Sequence, residues 1–408
     1  MDCPRLRPID AVPVQRGGRV FLQLYDPARL SPHVLVVPQE IAPIVAMLDG
    51  TNTVRDIQAA LMRQTGALIF AERIQEVVDR LDEALLLHSD RFRAHRTQLE
   101  EAFRQSAVRE PCSAGSAYPT DPHELRRMLD ASFTADGGPA LPHAHPPDGS
   151  VAGLIAPHID FERGGVAYAH AYKALAQGSD ADLFVVLGTA HFAADSLYIL
   201  TRKSFATPFG TAPTAAGLVD ALASRAGQDL FAEELVHRNE HSIEFQVLCL
   251  QHVLDGRDFE ILPILCCSMD RAVGDEESPL AAPAVADFLG ALRDVVGSCG
   301  RKVCVIAGAD LAHVGRQFGD EFALTPQVMA DVEAADRQCL SFIEQLDADG
   351  FYDSIRIDGN ARNVCGLPPI YALMNAIEAA RCELLDYRQA TDYDLQRAVT
   401  FASLAFYA

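Results

Sequence analysis

Four histidines and one cysteine stand where a chain tends to place chemistry. The apolar run VAGLIA ends in Pro157, His158 and Asp160; DLFVVLG ends in Thr189, Ala190 and His191; KVCVIAG ends in Asp310 and His313. A fourth stretch, NEHSIEFQVLCLQHVL, opens with Glu240, His241 and Glu244, and a fifth, NVCGLPPIYALMNAI, puts Cys365 before two prolines and an apolar helical pattern. Neutral imidazoles and a thiolate suit zinc, iron or copper, and an open coordination position would suit catalysis. Asp310, His241 or His313 could then orient a ligand or move protons. The same inventory could serve as a Cys–His nucleophile pair without metal. Spacing alone does not separate these chemistries. A cysteine at a helix entrance feels the positive end of the dipole, which favours the thiolate. Asn239 can cap the fourth stretch, and Glu240 and Glu244 are explained by the macrodipole at its start, whereas His241 is not.

These groups need a scaffold that makes distant segments converge. From about residue 112, β-type apolar runs (VAGLIA, DLFVVLG, FEILPILC, KVCVIAG) alternate with helical stretches such as GGVAYAHAYKALA. That alternation predicts an α/β domain with a mostly parallel central sheet covered by helices, and such sheets gather chemistry at the carboxyl ends of their strands. The loop 136–150 carries His143 and His145, both read as solvated. The front of the chain differs. Ile41, Ile44, Val45 and Leu48, then Val54, Ile57 and Leu61, then Ile74, Val77, Val78, Leu81 and Leu85 recur at helical spacing, with Thr53 as a cap. With VFLQLYD and HVLVV as short strands, this predicts a small winged-helix-like domain. The expected division is 1–96, a linker at 97–111, and 112–408.

Ten cysteines lie scattered without a CxxC pair, as expected of reduced thiols in a cytoplasm. No apolar run reaches the length of a membrane span, and the first residues lack a secretory pattern. The net charge is −22, of which residues 1–100 contribute about −1 and the remainder −21. An acidic body repels phosphate backbones and anionic lipid, so neither a nucleic-acid nor a membrane partner is expected.

The ordered motifs VREPCSAGSAYP, IAPHIDFERGG, VVLGTAHF, NEHSIEFQV, GADLAHVG and NVCGLPPIYALMNAI resemble the Memo-like family over residues 108–408. Its bacterial members are called protein B of the AmmeMemoRadiSam system, and the family is similar to the class III extradiol dioxygenases. The resemblance implies a metal, iron or copper, held by His158, His191 and Cys365, with Asp310, His241 and His313 lining the pocket. This chain departs from the family pattern in reading PHIDF for PHAGY, Ala190-His191-Phe192 for Ser-His-His, and Leu367-Pro368 where relatives carry Arg-His. The front module resembles PqqD-type domains through LDGTNTVRDIQ and VVDRLDEALLL. Such domains present a peptide to a radical-SAM enzyme; a DNA-reading winged helix is the rival, but the module lacks a basic footprint.

The leading expectation is a non-haem iron or copper dependent oxidoreductase working with a radical-SAM partner. A non-enzymatic metal- or peptide-binding scaffold is the alternative, and a thiol hydrolase using Cys365 with His241 or His313 a weaker third.

Overall fold

The computed structural model describes residues 2–143, 147, 149–192, 194–274, 276 and 278–408; His145 lies outside them. The chain divides into two compact units, Met1–Gln105 and Ser106–Ala408.

The first unit opens with an antiparallel meander of β1 (Asp10–Arg16), β2 (Arg19–Tyr25) and β3 (Val34–Pro38). Gly17 and Gly18 both take the left-handed conformation that a tight two-residue hairpin turn demands. Four helices follow: α1 (Ala42–Ala46), α2 (Val54–Thr65), α3 (Ala71–Glu83) and α4 (Asp90–Gln105). Thr53 caps α2 in a reciprocal box with Asp56. Most apolar positions expected from the spacing form the core, with Ile57, Ile74, Val78 and Leu81 at its centre; Val45 and Val54 pack against it half-buried, and Leu85 lies past the end of α3 with a positive φ. Strand β1 was not foreseen, because DAVPVQR is almost wholly exposed and carries no alternation. The segment 97–111, expected as a linker, is mostly the end of α4. Pairs such as Arg96–Glu100 and Arg104–Glu101, each 2.7 Å, support the exposed face of this apolar-poor helix, while Phe92 and Phe103 anchor the other.

The second unit runs β4 (Val108–Arg109), α5 (Pro122–Thr134), β5 (Val151–Ala156), α6 (Phe161–Gly178), β6 (Leu183–Thr189), β7 (Tyr198–Leu200), β8 (Ser204–Thr207), β9 (Gly210–Ala212), α7 (Ala216–Ala226), α8 (Ser242–Val253), β10 (Glu260–Cys266), α9 (Asp270–Val273), α10 (Pro283–Ser298), β11 (Val303–Gly308), β12 (His313–Val314), α11 (Pro326–Glu344), α12 (Ala348–Arg356), α13 (Leu367–Ala376), β13 (Arg381–Asp392) and β14 (Arg397–Tyr407). The main sheet is ordered β12-β14-β5-β11-β6-β10-β7, with β13 on β14. Its centre, β5-β11-β6-β10, is parallel and consists of the four runs picked out in the sequence. The edges are antiparallel, so the sheet as a whole is mixed.

Two apolar layers sandwich this sheet because successive residues of a strand face opposite sides. Phe184 and Val186 of β6 join the layer under α5, α6 and α8, while Val185 and Leu187 join the layer under α7, α10 and α13. Helix α8 lies very close to the strands. A Cβ on Gly308 would fall 2.8 Å from both Gln246 Nε2 and the Ser242 carbonyl oxygen. The approach brings the polar start of α8 to the carboxyl edge of the sheet, where α13 arrives from the other face.

Candidate metal centre

His158 follows β5 after Pro157 and is buried. Its backbone N–H and that of Ile159 donate to Asp310 Oδ1 at 2.9 and 3.3 Å, which fixes the turn after the strand. Its Nδ1 lies 2.9 Å from the Gly308 carbonyl oxygen. A carbonyl only accepts, so Nδ1 carries the proton and Nε2 presents a lone pair. Burial, followed by the neighbouring imidazoles of His191 and His241, holds the His158 pKa well below its ordinary value, so the ring is neutral.

His191 follows β6. Its Nδ1 lies 3.0 and 3.1 Å from the two oxygens of Glu240, and its backbone N–H donates to the same carboxylate at 2.9 Å. Again Nδ1 is the donor, here to Glu240, and the side chain also hydrogen-bonds Cys365. Burial opposes protonation of His191, but Glu240 and Cys365 outweigh it and raise its pKa. Cys365 stands before Gly366, the residue that caps α13, with its Sγ 3.4 Å from His158 Nε2. A Cβ at position 366 would meet the Asp310 carbonyl oxygen at 2.3 Å, so glycine is required for Cys365 to come this close. Ligand atoms of His158, His191 and Cys365 all lie within 4.8 Å of one another.

Burial pushes the Cys365 thiol up, with His191 pulling the other way. One expectation changes. Asn239 does not cap α8. It ends a short 3-10 turn, and the Glu240 carboxylate takes the His241 and Ser242 N–H groups at 2.8 and 3.0 Å instead.

Glu240 was passed over as an ordinary acidic helix start. Burial alone would raise its pKa, yet His191, His241 and the surrounding N–H groups hold it well below the carboxylate range. A second trio of groups, His191, Glu240 and His241, is also within 4.8 Å. Its carboxylate oxygens are already occupied by three backbone N–H groups and an imidazole N–H, so it is an orienting network rather than a second ion site. The available signal was α8 itself: a helix with apolar residues on every face, here Ile243, Phe245, Val247, Leu248, Cys249 and Leu250, has to be buried together with the acids at its start.

His241 stacks on His191 with ring centroids 4.9 Å apart and meets His158 edge-on at 5.7 Å. Burial lowers its pKa, with Glu240 opposing. Asp310 Oδ2 lies 3.5 Å from His158 Nε2, the nitrogen that also meets Cys365, and burial raises the Asp310 pKa to about 7. His313 sits one strand further along, its Nδ1 3.2 Å from the Leu311 carbonyl oxygen and its ring against Phe318. Burial brings its pKa down to about 4. Asp310 and His241 therefore adjoin the trio, while His313 stands at its margin. Asp160 is the N-cap of α6 and pairs with Arg163. His143, read as solvated, is exposed. A cavity of about 830 Å³ lies at the opposite end of the sheet, by Asp182, Glu260 and Arg301, remote from this chemistry.

The motif VREPCSAGSAYP acts through Glu244. The fully buried Glu244 carboxylate receives Arg109, the Tyr118 hydroxyl, and the Cys112 and Ser113 N–H groups at 2.8 and 3.0 Å. Arg109 also donates to the carbonyl oxygens of His237 and Glu240 at 2.9 and 2.6 Å.

Residues 109–405 match the sequence profile of the Memo-like proteins. A MEMO1 family protein of Aquifex aeolicus is 25% identical over 407 residues, covering 99% of this chain and all of that protein. One of Methanopyrus kandleri is 30% identical over 308 residues, 73% of this chain and 98% of its own length. One of Methanothermobacter thermautotrophicus is 30% identical over 304 residues, 73% of this chain and 100% of its own. With six ordered motifs, a matched profile and relatives aligned along their whole length, the chain belongs to the Memo-like family.

Proposed function

We propose that the protein is a metal-dependent oxidoreductase whose iron or copper is held by His158, His191 and Cys365. One observation carries this reading: two imidazoles expose Nε2, each with Nδ1 committed to a fixed acceptor, toward a single thiol within 4.8 Å. Thiolate and imidazole together suit iron, copper or zinc, and three protein ligands leave positions open. When bound, such a metal supplies redox or Lewis-acid chemistry at those positions. The His191 and His241 side chains keep 30% and 33% exposure, so substrate has an open side to enter. His241 is the residue placed to take a proton there, and Asp310 fixes the turn that aims His158.

The front unit is proposed to bind a peptide or a radical-SAM partner, a reading supported by its PqqD-like motifs. The Aquifex aeolicus relative aligns with both units, which supports a joint role. Ten free cysteines fit a cytoplasmic location.

Metal analysis of protein purified without added metal tests the centre, beside Cys365→Ala and His158→Ala. The wild type is expected to carry iron or copper near one equivalent and both variants to lose most of it. Unchanged content in both would sink the assignment. Stoichiometric metal without oxygen consumption on any substrate tried would favour the binding-scaffold alternative.

A further inference from the structure

We propose that Asp336 is a positioning residue of the centre: its buried carboxylate clamps together the segment that delivers Cys365 and the segment that aims His158, and so sets where the thiol stands. The proposal rests on the metal-centre reading for the use of that thiol, and on hydrogen bonds alone for the clamp. Asp336 lies in α11 and is 1% exposed. Its Oδ1 accepts from Arg362 Nη1 at 2.7 Å. Its Oδ2 accepts from the Thr400 hydroxyl at 2.6 Å and the Tyr387 hydroxyl at 3.0 Å. Arg362 belongs to the loop that runs into Cys365, and Thr400 lies on β14 beside residues 310–313.

Each carboxylate oxygen serves one segment. In the first, Asn360 and Asn363 take left-handed backbone, with φ of 54° and 50°, and the Val364 N–H donates to Asn360 Oδ1 at 2.7 Å. Arg362 anchors this loop in the core through Asp336 and through Nη2 on Cys339 Sγ at 3.3 Å, while Asp358 reaches its Nε only at 3.6 Å. In the second, the Thr400 carbonyl oxygen accepts from the Leu311 N–H at 2.8 Å, and the Thr400 N–H donates to the Ala312 carbonyl oxygen at 2.9 Å. Thr400 Oγ1 also accepts from the Ala312 N–H at 2.9 Å, which leaves the hydroxyl proton for Asp336. The two segments then meet. The His313 N–H donates to the Arg362 carbonyl oxygen at 2.7 Å, and the Gly366 N–H to the Asp310 carbonyl oxygen at 3.0 Å. Cys365 is bracketed between these bonds with its Sγ 3.4 Å from His158 Nε2, and Asp310 holds the His158 N–H.

Stability does not call for a carboxylate at this position. The inner face of α11 is otherwise apolar, with Met329, Val332, Cys339, Leu340 and Ile343 buried, and an apolar residue at 336 would continue it. Well-packed apolar residues often match or better a buried ion pair, because desolvation cancels most of the attraction. What they cannot do is receive a guanidinium and a hydroxyl in fixed directions from two separate segments. A planar carboxylate does that, and the geometry it imposes is passed to Cys365 and Asp310 through backbone hydrogen bonds.

The full-length protein tests this as wild type, D336N, T400V and T400S. L222A serves as a control that loses core packing on α7, an element packed on α10 and β10 instead. All are compared under conditions where far-UV circular dichroism shows them folded. One readout is Co(II) affinity by chelator competition, with the thiolate-to-cobalt charge-transfer absorption. The other is the rate at which iodoacetamide alkylates Cys365 in metal-free protein, followed by peptide mass spectrometry. D336N and T400V are expected to bind Co(II) at least about tenfold more weakly, with a weakened charge-transfer band at saturation. Cys365 should be alkylated severalfold faster in both. T400S keeps the hydroxyl and should stay close to wild type. L222A should unfold at lower denaturant yet keep wild-type Co(II) affinity, band and alkylation rate. Wild-type affinity and band in D336N and T400V, or equal losses in L222A, would overturn the proposal and leave Asp336 a structural residue. A wild type that takes up no Co(II) would refute the metal reading, and the alkylation rates would then decide the clamp by themselves: unchanged rates in D336N and T400V overturn it, faster ones uphold it.

Discussion

A single carboxylate decides which nitrogen His191 offers. Glu240 is buried, accepts Nδ1–H from His191, and spends its remaining capacity on the N–H groups of His191, His241 and Ser242. Glu240→Gln would turn an amide N–H toward those donors and release the imidazole from one tautomer. Partners of this kind typically contribute 10- to 100-fold in metal affinity. The variant is expected to keep its far-UV circular dichroism, lose about that factor in Co(II) affinity by chelator competition, and show mixed His191 tautomers by nitrogen NMR shifts. Wild-type affinity in Glu240→Gln would remove it from the site. Asp160, with no evident role in the sequence beyond a solvated turn, becomes the cap of α6 and the holder of Arg163.

At the scale of elements, α8 is the part the site depends on most. It packs so closely over β6 and β11 that Gly308 has no space for a side chain, and its polar start is buried with it. Burying that start is tolerable only because Glu244 and Arg109 neutralise each other and absorb backbone groups from two segments. Glu244→Ala would strand the guanidinium charge and two N–H groups. The expected cost is about 3–5 kcal/mol in denaturant unfolding. A loss under about 1 kcal/mol would mean the strap from β4 to α8 carries no weight.

At the scale of the whole molecule, the archaeal relatives align along 98–100% of their own length with only 73% of this chain. The family profile likewise begins at residue 109, just past the boundary between the two compact units. Residues 106–408 alone are therefore expected to fold cooperatively and to carry the same metal per chain as the full protein. The peptide or protein partners recovered by pull-down should be lost. Metal loss on removing residues 1–105, or retention of every partner, would overturn the division of labour.

The four parallel strands were legible in the chain, since a strand buried on both faces has to be apolar nearly throughout, and VAGLIA, LFVVLG, ILPILC and VCVIAG are. The sequence by itself also put His158, His191 and Cys365 on the list of groups that could bind a metal, because strand ends and helix entrances are readable locally. The antiparallel edge of β13 and β14 was not seen, and neither was β1. The roles of Glu240, Glu244 and Arg109 were also hidden. Whether a carboxylate at a helix start is solvated or serves as a buried orienting group depends on what packs over it. Here the partners are 49 residues away for Glu240 with His191 and 135 for Glu244 with Arg109. Periodicity reports on neighbours within a turn or two of chain, and only the tertiary structure brings together groups at those separations.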